Sequence, residues 1–305
     1  MSHILVSGLI NIETTLRVDS FPVEYSPVRY PFFGVDSSVS GVGYNLAKAL
    51  THLGDTVRFL SLIGQDQAGK LVWNVLEEDG IPQGFIKDSL SHTPQSVILY
   101  DVDGRRQIHV DLKDIQEKAY PDELFEQAQQ DCSLAVLCNI NFSRAFLQKA
   151  RRAGMLVATD VHAISSLDDE YNSDFMQAAD ILFMSDEGLA EPPEQWLQSV
   201  WNRYGAEVVV IGLGAKGALL GLRSEGYFER IPAVATRPVV NTIGAGDALF
   251  SCFIHFYQSS GDAHTAIRKA VVFASYKIGA KGAADGFLNE SGLENLYKQI
   301  FSNGS

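Results

Sequence analysis

The chain is short of the residues that would make it a disulfide scaffold or a nucleic-acid binder. Cysteine is scarce: Cys132, Cys138 and Cys252 are odd in number and scattered through apolar segments. They read as buried free thiols of a reducing compartment, not as a disulfide framework. Positive charge is in deficit, 24 Lys and Arg against 37 Asp and Glu, for a formal net charge of −13. With no basic surplus to neutralise a phosphate backbone, nucleic acid is not expected as a main partner, while a local pocket for a small anion stays open. No apolar run is long enough to span a bilayer, so no membrane partner is expected. There is no repeat, low-complexity tract or domain linker. The chain runs into a strand at Ile4–Val6 with no basic leader, and the cytoplasm is the expected compartment.

What is present centres on Val239 to Tyr257, VVNTIGAGDALFSCFIHFY. A short apolar strand end is expected at Val239–Val240, then the turn Gly244-Ala245-Gly246, then Asp247 and an almost unbroken apolar run. That run is too long for one strand and reads as a helix buried on most sides. Glycines at a helix start let backbone N–H groups close on a ligand, and the helix dipole favours an anion there. Asp247 adds a carboxylate in the first turn. Donors that hold a phosphoryl group, beside a base for the proton of an attacking hydroxyl, are what phosphoryl transfer requires. A plain turn with Asp247 as a helix cap is the bland alternative.

Elsewhere the order of elements points to an α/β fold. From Pro121 onward, helices over 121–130, 143–153, 173–179 and 193–204 alternate with apolar strands over 134–138, 155–159, 181–184 and 207–211. That alternation predicts a parallel sheet covered by helices on both faces. Asn11 and Glu13, Asn139 and Asn141, Asp160, and Ser185 to Glu187 fall just past strand ends, the edge where such sheets bind ligands. Ser40-Gly41-Val42-Gly43-Tyr44-Asn45 leads into another helix, and Asn45 sits in its first turn where it can bind a hydroxyl. Residues 13–40, with a β-like run through Val28, Tyr30, Phe32 and Phe33, and residues 94–112, with an Asp103-Gly104 hairpin signal, break the pattern. They read as a β lid that excludes water. Gly212 to Gly217 matches GxGxxG, but no helix follows, so the segment is a tight hairpin and not a dinucleotide fingerprint. Its glycines can still line a nucleotide, with Lys216 near a phosphate.

These motifs resemble the ribokinase-like (PfkB) family of carbohydrate kinases. Asn241-Thr-Ile-Gly-Ala-Gly-Asp247 is close to the family's DTxGAGD. Ser40 to Asn45, with the helix to Gly54 and the strand to Gly64-Gln65-Asp66, carries the N-terminal signature. The resemblance spans essentially the whole chain. It implies a single unit, 1–305, with a Rossmann-like parallel sheet core and a small β lid, transferring the ATP γ-phosphoryl group to a hydroxymethyl group. Asp247 then corresponds to the base, and Gly244, Ala245 and Gly246 to the anion hole. Asn11, Glu13, Gly41, Val42, Asn45 and Asn141 fall on the substrate side. Ser185, Gly214, Lys216, Gly217, Thr242 and Gly282 fall on the ATP side, with Mg²⁺ bridging the β- and γ-phosphates. The family's NxxE is Ser185-Asp186-Glu187-Gly188 here, which leaves Glu187 or Asp186 to supply the carboxylate. The first Asp of DTxGAGD is Asn241, so the monovalent-cation (K⁺) site of many members loses a charge. Val42 stands where sugar-phosphate kinases of the family carry Lys, which favours an unphosphorylated substrate. A sugar, a nucleoside stacked on lid aromatics or Tyr44, and a degenerate binding protein with little turnover all stay open, as do a monomer and a homodimer paired through lid strands.

Overall fold

Strands apolar on both sides have to be covered on both sides. The computed structural model, which describes residues 3–302, builds such strands into a nine-stranded, mostly parallel sheet. In chain order the strands are β1 (His3–Ser7), β2 (Asn11–Arg17), β3 (Val35–Ser40), β4 (Thr56–Gly64), β5 (Ile86–Leu90), β6 (Gln95–Tyr100), β7 (Arg106–Asp111), β8 (Cys132–Leu137), β9 (Leu156–Asp160), β10 (Ile181–Ser185), β11 (Val208–Gly212), β12 (Ala218–Leu222) and β13 (Tyr227–Ile231). The large sheet runs β13-β12-β11-β10-β9-β8-β1-β4-β5, parallel from β11 to β5, with β12 and β13 returning antiparallel. A small second sheet runs β3-β2-β6-β7, antiparallel except for the β2–β6 pair.

The helices are α1 (Val42–Leu53), α2 (Gln67–Glu78), α3 (Asp122–Ala128), α4 (Asn141–Arg144), α5 (Leu147–Arg152), α6 (Ser173–Ala178), α7 (Pro193–Tyr204), α8 (Ala245–Ser260), α9 (Ala263–Lys277) and α10 (Glu290–Ser302). Residues of α1, α8 and α9 join the core on one face of the large sheet, and those of α3 to α7 join a separate core on the other. The apolar run after Asp247 explains this: Phe250, Cys252, Phe253 and Ile254 of α8 are fully buried, and the Phe250 ring lies 4.6 Å from that of Phe183 on β10. Each such Phe is worth about 1.5–3 kcal/mol of burial. That anchorage fixes the N-terminus of α8 at the sheet's C-terminal edge.

Three local expectations need correction, and one strand was not foreseen. No strand forms over Val28 to Phe33; Tyr30, Phe32 and Phe33 lie exposed in a loop, because Pro27 and Pro31 have no N–H to give a ladder. The paired strand there is the more polar β3. No strand forms at Val239–Val240 either: the N–H groups of Val240 and Asn241 go to the carbonyl of Ile278 at 2.8 and 3.2 Å. The helix expected over 143–153 divides into α4 and α5. β5 carries too weak an alternation to be seen in the sequence. The hairpin reading of Gly212–Gly217 holds, since β11 pairs directly with β12. Among the described residues no helix is long and apolar enough to cross a membrane.

Candidate active site

Two glycine-shaped turns meet near the start of α8. Gly41, at φ 105°, precedes α1, and a side chain on it would meet the Leu9 carbonyl oxygen at 2.6 Å. Gly244, at φ 74°, precedes α8, and its Cβ would lie 2.3 Å from the Ala283 carbonyl oxygen. Neither backbone position suits an L side chain. At Gly246 nothing of the protein lies within 4 Å of where a Cβ would sit, and the residue is exposed. Packing therefore does not require glycine there. The helix opens with no side-chain cap; the Ala245 N–H goes to the Thr242 carbonyl at 3.2 Å, which leaves the exposed first turn at Gly246 open to a ligand.

A hydrogen-bond chain ties the two turns together. Asn45 in the first turn of α1 donates through Nδ2 to Asp247 Oδ2 at 2.6 Å. Ser40 Oγ lies 3.4 Å from Asn45 Oδ1 and 3.1 Å from Glu13 Oε2, and its single proton favours the shorter bond. Burial pushes the Asp247 carboxyl above the usual carboxylate range, opposed first by the Asn45 hydrogen bond and then by His162. Glu13 is raised for the same reason, with Ser40 opposing. Glu13 Oε1 and Asn11 Oδ1 are buried and lack a protein partner, while Asn11 Nδ2 donates to Ser96 Oγ at 2.9 Å. Two acceptors left without donors at this edge suit a ligand rich in hydroxyl groups.

Beside them is a cleft of about 250 Å³ lined by Leu9, Val42, Leu112, Gln116, Asn139, His162 and Tyr171, among others. Among the described residues no lysine or arginine lines it. Asn141 does not line it; its Nδ2 donates to the Gln116 carbonyl at 2.9 Å, and Asn139 lines the cleft instead. Tyr44 is in the core with its hydroxyl bonded to Asp79, so it is not free to stack on a base.

The remaining motifs lie at the end of β10, in the β11–β12 turn and in the loops before α8 and after α9. Ser185 ends β10, and its Oγ accepts from the Glu187 N–H at 3.1 Å. Gly214 and Lys216 are exposed in the β11–β12 turn. Gly217 closes that turn at φ 101°. Gly282 is buried, its N–H bonded to Asp285 Oδ2 at 3.1 Å. Asn241 is also buried, with Oδ1 accepting from the Ile243 N–H at 3.0 Å and Nδ2 donating to the Lys281 carbonyl at 2.5 Å. Among the described residues no cluster of three or more His, Cys, Asp or Glu could hold a metal. Mg²⁺ needs no such cluster, because one or two carboxylates and phosphate oxygens suffice; Asp186, half-buried, and Glu187, exposed, offer those.

Three residues here were missed by sequence reasoning. Arg106 on β7 donates through Nη1 to Thr242 Oγ1 at 3.1 Å and lies 3.8 Å from Glu187, linking the small sheet to the α8 side. His162 follows β9 with φ 57°, its N–H held by Asp160 Oδ1 at 2.8 Å. Lys277, fully buried at the end of α9, donates to the Ile243 carbonyl. None lies in a motif, and an arginine, a histidine and a lysine are unremarkable in isolation.

Known proteins share this fold over essentially the whole chain. The profile of the pfkB family carbohydrate kinases matches residues 1–290. The chain is 26% identical over 286 residues to an ATP-dependent ribose-1-phosphate kinase of Halopiger xanaduensis, covering 93% of this chain and 94% of that one. It is 25% identical over 296 residues to the acarbose 7(IV)-phosphotransferase of an Actinoplanes species, covering 96% and 97%. The solved structure of a microbiome-derived acarbose kinase, Mak1, superposes with a TM-score of 0.85 at 26% identity, covering 97% of this chain and 98% of that one. The chain belongs to the pfkB family of carbohydrate kinases, and is a sugar or nucleoside kinase, a phosphotransferase with an alcohol group as acceptor.

Proposed function

We propose that the protein transfers the γ-phosphoryl group of ATP to a hydroxymethyl group of an unphosphorylated sugar. The observation that carries this reading is the Asn45–Asp247 bond at the glycine-built start of α8. A carboxylate with a raised pKa sits where it can take a proton, next to N–H donors that suit an anion. In the reaction, Asp247 accepts the hydroxymethyl proton as that oxygen attacks the γ-phosphorus. The bond from the γ-phosphorus to the β–γ bridging oxygen breaks, its electron pair leaves with ADP, and a sugar phosphate monoester remains. The Gly244, Ala245 and Gly246 backbone forms the anion hole for the moving group. Asn45 orients the base.

Asn11 and Glu13 accept sugar hydroxyls with their unpartnered oxygens, Gly41 permits close approach, and Val42 forms an apolar wall. The lack of lysine and arginine in the cleft supports a neutral acceptor, and the burial of Tyr44 favours a sugar over a stacked nucleobase. Ser185, Gly214, Lys216, Gly217, Thr242 and Gly282 bound the ATP side. Mg²⁺, held by Glu187 with Asp186 beside it, would neutralise charge on the β- and γ-phosphates. The small sheet acts as the lid of one catalytic unit spanning 1–305, with Arg106 reaching across from it. Its exposed edge strand β7 and the aromatic loop at Tyr30 to Phe33 suit pairing with a second copy, which sedimentation would read.

The replacement of NxxE by Ser185–Gly188 favours one second reading, a sugar-binding protein with little turnover. A coupled ADP assay across a panel of sugars and nucleosides separates the two. A vigorous sugar substrate supports the kinase, while ligands that raise the melting temperature without ADP formation support the binder.

A further inference from the structure

A buried charge that the proposed mechanism does not use lies directly under the anion-hole loop. Lys277 is 0% exposed and ranks among the largest fully buried side chains. Lysine is almost never buried to that extent unless it is paired, because removing an ammonium from water costs several kcal/mol, about the whole stability margin of some domains. Among the described residues its one direct partner is a main-chain oxygen, the carbonyl of Ile243, immediately before Gly244. The carboxylates whose charges act on it are Asp247, Glu13 and Asp285, opposed by Arg237. A methionine would fill the same space without that desolvation cost. The ammonium therefore needs a role beyond packing.

Carbonyl oxygens of the neighbouring turns already accept hydrogen bonds. The Lys281 carbonyl accepts the Asn241 amide and the Ile278 carbonyl accepts the N–H groups of Val240 and Asn241. The Lys277 carbonyl accepts the Ala280 N–H at 2.9 Å. Asn241 brings no charge and both ends of its side chain are committed. A monovalent cation at this loop would have to share the Ile243 carbonyl with the Lys277 ammonium and face its positive charge at close range, so the residues present do not fit K⁺. They hold a covalently attached cation of similar size instead.

We infer that Lys277 is the resident monovalent cation of this enzyme, a positioning residue whose ammonium fixes the Ile243 carbonyl and thereby the Gly244–Gly246 amides, making the reaction independent of K⁺. The inference rests on the kinase reading above. It also explains why a neutral Asn stands at position 241: with the ammonium built in, a carboxylate there is not needed to attract a cation, and the amide bridges the two loops.

The test compares ADP formation by the wild-type protein with its best acceptor in potassium, sodium and tetramethylammonium chloride at equal ionic strength. Rates equal within about twofold are expected, and activation of tenfold or more by K⁺ overturns the inference while leaving the kinase reading intact. Lys277→Ala is expected to lower kcat at least tenfold and to regain activity with added ammonium or K⁺, a rescue that a purely structural lysine would not show. Should that variant not fold, the wild-type comparison decides. Should no acceptor support ADP formation, the kinase reading fails, and ATP affinity measured by calorimetry in the same salts decides instead: equal affinities uphold the built-in cation, and K⁺-dependent affinity overturns it.

Discussion

Replacing Asp247 by Asn separates catalysis from stability more cleanly than any other change here. The variant keeps the shape, and its amide oxygen can still accept from Asn45 Nδ2, which now lies 2.6 Å from Oδ2. What is lost is the proton acceptor. A general base contributes about 10²–10⁴ in rate, which corresponds to about 3–5 kcal/mol of barrier. kcat should fall by that factor with the ATP affinity little changed. Stability should move the other way. Burial raises the folded-state pKa of Asp247, so between the unfolded and folded values the native state binds more protons, and stability falls as pH rises through that window. At neutral pH the burial of this carboxyl is thus a cost, and the Asn variant should melt at the same temperature or higher. The assays are steady-state kinetics and thermal denaturation. An unchanged kcat, or a variant that unfolds, would refute the reasoning.

Other outcomes follow from the same geometry. The kcat/KM profile should rise with pH with its acid limb above the ordinary Asp range, through Asp247, and fall again near the Lys277 value of about 8, which burial lowers against the pull of Asp247, Glu13 and Asp285; a profile that stays flat from the ordinary Asp range to beyond the Lys277 value contradicts both assignments. Arg106→Ala removes the tie to Thr242 and Glu187, so KM for ATP should rise several-fold while the melting temperature stays, which nucleotide titration reads. Gly244→Ala forces a side chain into the Ala283 carbonyl at a positive φ, and chemical denaturation should show a loss of at least about 1–3 kcal/mol. Asn11→Ala should raise the KM for the sugar about tenfold or more without altering ATP binding, in line with loss of a buried polar contact.

The fold was legible because its signals are local and repeated. Apolar strands alternating with helices after Pro121 dictate a covered parallel sheet, and the structure forms it with shifts of a residue or two. Gly244 and Gly41 were legible for a different reason: each occupies a backbone position a side chain could not share. The aromatic flap misled because hydrophobic content suggested a strand while Pro27 and Pro31 removed its ladder. Lys277, Arg106 and His162 could not be read at all. The meaning of Lys277 and Arg106 comes from residues 34 and 136 positions away in the chain, namely Ile243 and Thr242, and that of His162 from the cleft it lines. The rest of the catalytic constellation shares that property: Asn45 and Asp247 meet across a sequence separation of 202. Only the resemblance of both segments to one family brought them together before the structure did.

The most direct test of the central claim is ³¹P NMR of the reaction of the protein with MgATP and a neutral sugar. The account predicts loss of the γ-phosphate resonance, stoichiometric ADP, and a new phosphate monoester coupled to the hydroxymethyl protons of the sugar. ATP left intact with every sugar tried, or release of inorganic phosphate in place of a sugar ester, would contradict it.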